Sequence, residues 1–245
     1  MIESAPIHWF EQVDSTSEEL KRRARRGALE PVWIAARQQI TGRGRLGRNW
    51  VSPEGNLFVS LLCTLPEGVS VATRVPFATG LAVRDACISV LPGTDFRLKW
   101  PNDVRVDGAK LAGILVESGQ TESTFWVIIG IGVNVQVAPD NTGQASTSLV
   151  DLGAPPETSP DEVLLALRMA LARRLRQAET GFDGVLRDWS MSAEGLGQMV
   201  EAGPANARQK GRFEGVSEDG GMILRLPDGQ TRIIRAGDVD LIGDV

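Results

Sequence analysis

Gly42-Arg43-Gly44-Arg45-Leu46-Gly47-Arg48-Asn49-Trp50 is the stretch on which the reading of this chain turns. It satisfies the spacing G-x-G-x-x-G, which in a dinucleotide-binding fold opens a helix whose N-terminus meets a pyrophosphate. Here Pro53 and Gly55 follow, and then Leu57-Phe58-Val59-Ser60-Leu61-Leu62-Cys63, which reads as a strand, so the required helix is excluded. A protein-kinase glycine loop fails as well, because the chain is too small and lacks the rest of that signature. What remains is chemical: glycines let a backbone approach an anion closely, and Arg43, Arg45 and Arg48 supply permanently charged, forked donors. Such a loop suits phosphate or carboxylate; the alternative is a surface loop with incidental arginines. Trp50 either covers a ligand or anchors the core.

Outward from the loop, Ile7 to Val13 reads as a strand and Ser15 begins a helix to about Gly27 with overlapping capping boxes, Ser15 to Glu18 and Thr16 to Glu19. A second strand runs from Val32 to about Arg37. Beyond the loop, the strand from Leu57 leads through Pro66-Glu67-Gly68 to a helix of about Ala72 to Leu91 and a strand at Phe96 to Trp100. Val104-Arg105-Val106 turns at Asp107-Gly108 into Ala109 to Val116, a hairpin whose two central residues need positive φ. Thr124 to Ile131 makes another strand, Gln136 to Pro156 a long loop, and Ser159-Pro160-Asp161-Glu162 starts a well-capped helix to about Ala178. After a short helix near Phe182 to Ser190, brief alternating segments separated by Asp219-Gly220-Gly221 and Asp228-Gly229 predict a small β-barrel, with a domain boundary near Gly195.

A chain of 245 residues suits one substantial core and an appendage. Its N-terminus lacks the basic and apolar succession of a secretory signal and no apolar run approaches a membrane span, so the cytoplasm is the expected location, with no membrane partner. The net charge of −5 argues against a general nucleic-acid binder. Lys21-Arg22-Arg23-Ala24-Arg25-Arg26 reads as a solvated helix face. Cys63 and Cys87 have neither metal nor redox spacing and are expected in the core, and a single histidine, His8, removes a zinc cluster or a catalytic histidine.

A second constellation joins Lys99-Trp100-Pro101-Asn102-Asp103 to Lys110-Leu111-Ala112-Gly113-Ile114-Leu115-Val116-Glu117 across the hairpin turn. A charged Lys110 inside a sheet needs an anionic partner, which a bound phosphate would supply; otherwise it stands at the exposed start of its strand. Gly130-Ile131-Gly132-Val133-Asn134 ends a strand in glycines, which permit either close ligand approach or tight packing.

These four segments, in this order and spacing, resemble the biotin protein ligases over roughly Asp14 to Asn134. The resemblance implies an α+β fold, a mixed sheet flanked by helices over residues 1–194 with a C-terminal barrel of Src-homology type over 195–245. It implies that the loop closes over biotin and its adenylate, with Arg43, Gly44 and Arg45 lining the site. Ser15, Thr16 and Ser17 match that family's Ser-Thr-Asn biotin contact, Ser17 standing in place of asparagine; Gln39 matches its biotin-contacting glutamine, Lys110 the lysine serving biotin and phosphate, and Gly113 lies beside it. The nucleotide side falls to Arg43, Arg45, Arg48, Trp50, Lys99, Asn102, Lys110 and Asn134. Larger members carry an N-terminal winged helix; with the first motif at Asp14, transcriptional repression is not expected.

The implied reaction uses ATP and Mg²⁺: biotin's carboxylate attacks the α-phosphorus, and a lysine of a biotin carboxyl carrier protein then attacks the resulting anhydride. Arg45 and Lys110 would stabilise charge and Asp103 would orient the incoming amine. The rivals are a lipoate ligase or octanoyl transferase of related fold and a non-catalytic nucleotide or carrier sensor. The resemblance leaves a homodimer open.

Overall fold

The computed structural model describes residues 1–65, 72–121, 124–140 and 142–242. Seven strands form the main sheet: β1 (Ile7–Val13), β2 (Val32–Gln39), β3 (Leu57–Thr64), β4 (Arg97–Lys99), β5 (Asp103–Val106), β6 (Ala109–Gln120) and β7 (Phe125–Val133). Their spatial order is β1-β2-β3-β7-β6-β5-β4, with β1 parallel to β2 and every other pairing antiparallel, so the sheet is mixed as expected. Among the described residues four α-helices accompany it: α1 (Thr16–Arg25), α2 (Val75–Val90), α3 (Pro160–Thr180) and α4 (Phe182–Met191). The expected turn at Pro66-Glu67-Gly68 lies outside the described residues.

The near-continuous apolar runs of β2, β3 and β7 are explained by burial of both faces. In β2, Trp33 and Ala35 point into a large core shared with α2, α3 and α4, while Val32 and Ile34 meet Leu20 and Ala24 of α1. A strand covered on both sides has no polar face to alternate with. Cys63 joins Leu57, Val59 and Leu61 in the large core, as period two predicts, and burial pushes the Cys63 and Cys87 thiols up to about 12. The hairpin turns where expected, with Asp107 at φ 48° and Gly108 at φ 75°. Ser159 caps α3 by accepting the Glu162 amide at 3.2 Å.

At α1 the expectation needs correction. Ser15 stands at the N-cap position, yet its side chain makes no capping bond. Glu18 and Glu19 are drawn to cations instead: Glu18 to Lys21 and Arg43, Glu19 to Arg22 and Arg23. The basic run is not a uniformly solvated face either, since Lys21 bridges Glu18 at 2.8 Å and Glu117 of β6 at 2.6 Å, tying the helix to the sheet.

Beyond α4 come β8 (Met199–Gly203), β9 (Gln209–Val216), β10 (Met222–Arg225), β11 (Thr231–Ile234) and β12 (Asp238–Leu241), antiparallel in the order β11-β10-β9-β8-β12. This small all-β unit is of the Src-homology type. Its Asp219-Gly220-Gly221 turn meets the segment just after β4, where the Trp100 indole N–H donates to the Gly220 carbonyl at 3.1 Å.

Candidate active site

The pocket is built on the α1 face of the sheet, just beyond the N-terminal end of that helix. Register brings Ser60 opposite Gly130, and Gly130 opposite Leu115; one row along, Phe58 faces Gly132, which faces Gly113. Glycines at 113, 130 and 132 remove the side chains that would otherwise cover this face. Trp50 occupies the space: a Cβ at Gly132 would lie 2.5 Å from its indole, and one at Gly113 2.7 Å. The sequence left Trp50 between ligand cover and core anchor; it lies across the glycine floor and lines a cavity of about 620 Å³.

The glycine and arginine loop is a pinned excursion. Trp50 N donates to the Gly42 carbonyl at 2.9 Å, Gly44 N to the Arg48 carbonyl at 2.7 Å, and Arg43 bridges to Asn49. Only one 3-10 turn, Arg45–Gly47, forms within it, in keeping with the rejected dinucleotide helix. Arg43 is held by Glu18 of α1. Arg45 donates to Asn102 Oδ1 at 3.1 Å and approaches the Gly237 carbonyl at 3.5 Å; its burial lowers the guanidinium pKa, which the Asp238 charge opposes. Arg48 pairs with Asp238 at 2.8 Å.

Lys110 is neither an exposed strand start nor a cation without a partner. Its ammonium lies 2.8 Å from Asp103 Oδ1, across the β5–β6 hairpin, and 5.3 Å over the Trp50 ring. The Asp103 contact is an ion pair, with no donor aligned on that oxygen for a hydrogen bond. The expected long loop supports this strand: Lys110 N donates to Ala145 O and Thr147 N to Lys110 O, which aligns Ser146 beside it. Asn134, 2% exposed, donates to Thr147 O at 3.0 Å and keeps an unpartnered Oδ1. Asn102 fixes the hairpin through the Ile114 carbonyl at 2.8 Å.

Each candidate binding or catalytic residue taken from the sequence lines this one cavity: Ser15, Thr16, Ser17, Gln39, Arg43, Gly44, Arg45, Arg48, Trp50, Lys99, Asn102, Asp103, Lys110, Gly113 and Asn134. Sequence reading missed the contribution of the small β-unit, from which Arg208, Asp238 and Asp240 reach the rim. Asp240 meets Arg208 at 2.8 Å and Lys99 at 3.5 Å. The alternation Asp238-Val239-Asp240 placed both carboxylates on one strand face, but nothing local said what that face meets. Gln144 and Ser146 of the long loop were missed for the same reason.

The cavity thus combines a neutral, hydroxyl-lined inner end, a cation over an indole and an arginine rim. Residues 9–134 match the Biotin/lipoate A/B protein ligase family, and residues 195–242 the Biotin protein ligase C terminal domain. The chain is 37% identical to the biotin–[acetyl-CoA-carboxylase] ligase of Paracoccus denitrificans over 93% of its length and 97% of that protein, and 33% identical to the Mycobacterium tuberculosis ligase of that name over 93% and 86%. The biotin protein ligase from Aquifex aeolicus in complex with biotin and ATP superposes with a TM-score of 0.79 at 29% identity, covering 97% of this chain and 98% of that one. This chain belongs to the biotin/lipoate ligase family, in its biotin protein ligase branch.

Proposed function

We propose that this pocket activates biotin with ATP and passes it to a lysine of a biotin carboxyl carrier protein. The observation that supports the residue roles best is Lys110, held between Asp103 and the Trp50 face where the neutral inner end meets the arginine rim. In the first step a carboxylate oxygen of biotin forms a bond to the α-phosphorus of ATP and pyrophosphate leaves. Negative charge grows on the phosphate oxygens and leaving group, where Lys110 and Arg45 stabilise it; such preorganised donors act without reorganising as the charge develops. The carrier lysine then attacks the anhydride carbonyl, AMP leaves, and the amine's proton must be lost. Once phosphate competes for Lys110, Asp103 is free to orient that amine.

Ser15, Thr16, Ser17 and Gln39 would hold the biotin head group, Gly44 would allow its close approach, Gly113 would seat the Trp50 indole beside it, and Arg43, Arg48, Lys99, Asn102 and Asn134 would face the nucleotide. Mg²⁺ fits as the counter-ion of the nucleotide rather than as a resident metal. Among the described residues no group of three or more metal-ligating side chains converges. Mg²⁺ commonly takes substrate phosphates and one or two carboxylates. Asp240, at the same rim, would supply such an oxygen, and the ion would neutralise phosphate charge. We further propose a division at 1–194 and 195–245, and a cytoplasmic setting without nucleic-acid partners; among the described residues no helix is long and apolar enough to cross a membrane.

The deciding experiment is incubation with ATP, Mg²⁺, a biotin carboxyl carrier domain and, in parallel, biotin, lipoate or octanoate, read by intact mass. A single biotinyl adduct on one carrier lysine is expected; preferential lipoyl or octanoyl transfer would replace the substrate assignment. Pyrophosphate release separates turnover from a binding-only role.

A further inference from the structure

Behind the inner end of the pocket lies Ser60, fully buried on β3 and within reach of two pocket hydroxyls, Thr16 Oγ1 at 2.8 Å and Ser17 Oγ at 2.9 Å. The direction of these bonds is fixed by the groups at the far end. Gln39 must turn its carbonyl oxygen to Thr16, because the Thr16 backbone N–H, which can only donate, lies 3.0 Å from it. Thr16 Oγ1 is 3.2 Å from the same oxygen and so gives its one proton there. Two hydroxyl oxygens 2.8 Å apart need a proton between them, so Ser60 donates to Thr16, and by the same argument Ser17 donates to Ser60.

The amide nitrogen of Gln39 continues the series, donating to Ser52 Oγ at 3.2 Å, and Ser52 donates to the Trp50 carbonyl at 3.2 Å. Two glycines leave room for this chain of bonds. A Cβ at Gly130 would lie 2.7 Å from Ser17 Oγ, and one at Gly42 2.3 Å from Trp50 O, 2.8 Å from Ser52 Oγ and 3.1 Å from Gln39 Nε2. The sequence therefore keeps space at both ends of one directed hydrogen-bond chain, running from the pocket floor to the arginine loop.

We propose that Ser60 is a positioning residue that commits the Ser17 hydroxyl proton away from the cavity, making Ser17 an obligate acceptor that selects a ligand N–H. This deepens the biotin reading of the pocket, on which it rests: the ring of a cyclic urea offers such an N–H, whereas a dithiolane or an alkyl chain does not. It also gives Ser17 a defined task at the position where the resemblance implied asparagine. Asparagine brings both a donor and an acceptor to a ligand; the Ser17–Ser60 pair presents the acceptor alone. A buried acceptor facing a ligand oxygen has no way to turn, so its discrimination exceeds that of a freely rotating hydroxyl.

The test uses the full chain and measures equilibrium binding of biotin and of two cyclic carbamate analogues, each replacing one ureido N–H by oxygen. For the wild-type protein, one carbamate should bind weaker than biotin by roughly a hundredfold, since its oxygen would oppose a committed acceptor. Ser60→Ala frees the Ser17 proton to turn towards the ligand, so the ratio between biotin and that carbamate should fall about tenfold or more. Thr16→Val removes the acceptor of the Ser60 proton while keeping the side chain's shape, and should relax the ratio in the same direction; it serves if Ser60→Ala does not fold. A merely structural role for Ser60 would weaken all ligands alike and leave the ratio unchanged, which would overturn the proposal, as would unchanged discrimination in folded Thr16→Val. Failure of the biotin reading is distinct: the wild-type protein would then bind neither biotin nor the carbamates.

Discussion

The two ends of the pocket are built by opposite means. The inner end is neutral and buried: Thr16, Ser17 and Ser60 are 5% exposed or less, and their protons are assigned within the protein. The outer end is charged and open, with Arg48 and Asp238 about half exposed and each pocket carboxylate of the small β-unit already paired with a cation. A buried network of this kind is preorganised, so a ligand either matches it or leaves a polar group unsatisfied. Exposed ion pairs are worth only about 0–1 kcal/mol and yield readily to a more highly charged ligand such as a triphosphate. On the proposed function, selection falls to the rigid end and capture of phosphate to the exchangeable end, with Lys110 where the two meet.

The largest effect is expected at that junction. Lys110→Ala should slow single-turnover adenylate formation by roughly 10²–10³ at saturating biotin and ATP, as loss of one preorganised charge donor typically does. Lys110→Arg should rescue only in part, because a planar fork does not fill the place of a compact ammonium. A folded Lys110→Ala protein that forms adenylate at nearly the wild-type rate would remove the junction from the comparison.

Next in size is the glycine floor. Gly132→Ala would set a Cβ 2.5 Å from the Trp50 indole, and that contact is with a rigid ring. Overpacking of this kind costs about 1–3 kcal/mol, to be read in the denaturation midpoint, and Trp50 should leave its place over the floor. Biotin binding should weaken with it. Unchanged biotin affinity and stability would mean that Trp50 is free to move without consequence.

At the open end the expected effects are small. Asp238→Asn removes a carboxylate that competes with phosphate for Arg48, so the KM for ATP should fall by at most about fivefold, and less in high salt. Burial raises the Asp238 carboxyl, but the Arg48 hydrogen bond and the charges of Arg48, Arg45 and Lys99 outweigh it and hold it below its ordinary value of 3.8. A lowered carboxyl contributes its stability above 3.8 and loses it only as pH falls through the lower folded value. The stability difference between wild type and Asp238→Asn should therefore be the same at pH 6 and pH 8. A difference that changes across that interval would place another titrating group in the rim.

The smallest effect concerns the core. With thiols pushed up to about 12 and buried, Cys63 and Cys87 should resist maleimide labelling of the native protein at pH 7.5, and activity should survive the reagent. Rapid labelling would expose an opening motion of the large core.

Much of this organisation could be read from residues alone because it is local. The Asp107-Gly108 hairpin, the Ser159 cap and the alternation that buries Cys63 depend on neighbours a few positions away. The fifteen candidate residues converged because their motifs lie on adjacent strands, α1 and one loop. Pairing choices were another matter. The capping boxes at Ser15 and Thr16 obeyed the local pattern, yet Glu18 and Glu19 found stronger partners in cations, one of them Arg43 from the distant loop. Likewise Lys110 needed an anion, and only the fold revealed that Asp103 provides it across the hairpin.

The sequence by itself determined the strands, the helices, the cationic character of the arginine loop and the need for open space at the glycines, since each follows from backbone sterics and side-chain type. Tertiary structure alone decided that Ser60 stands beneath Ser17, that Asp238 and Asp240 come round from the small β-unit to the rim, and that Trp50 lies over Gly113 and Gly132. These are contacts between segments far apart in the chain, set by sheet register and domain docking, and no local pattern of residues encodes the partner across such a gap.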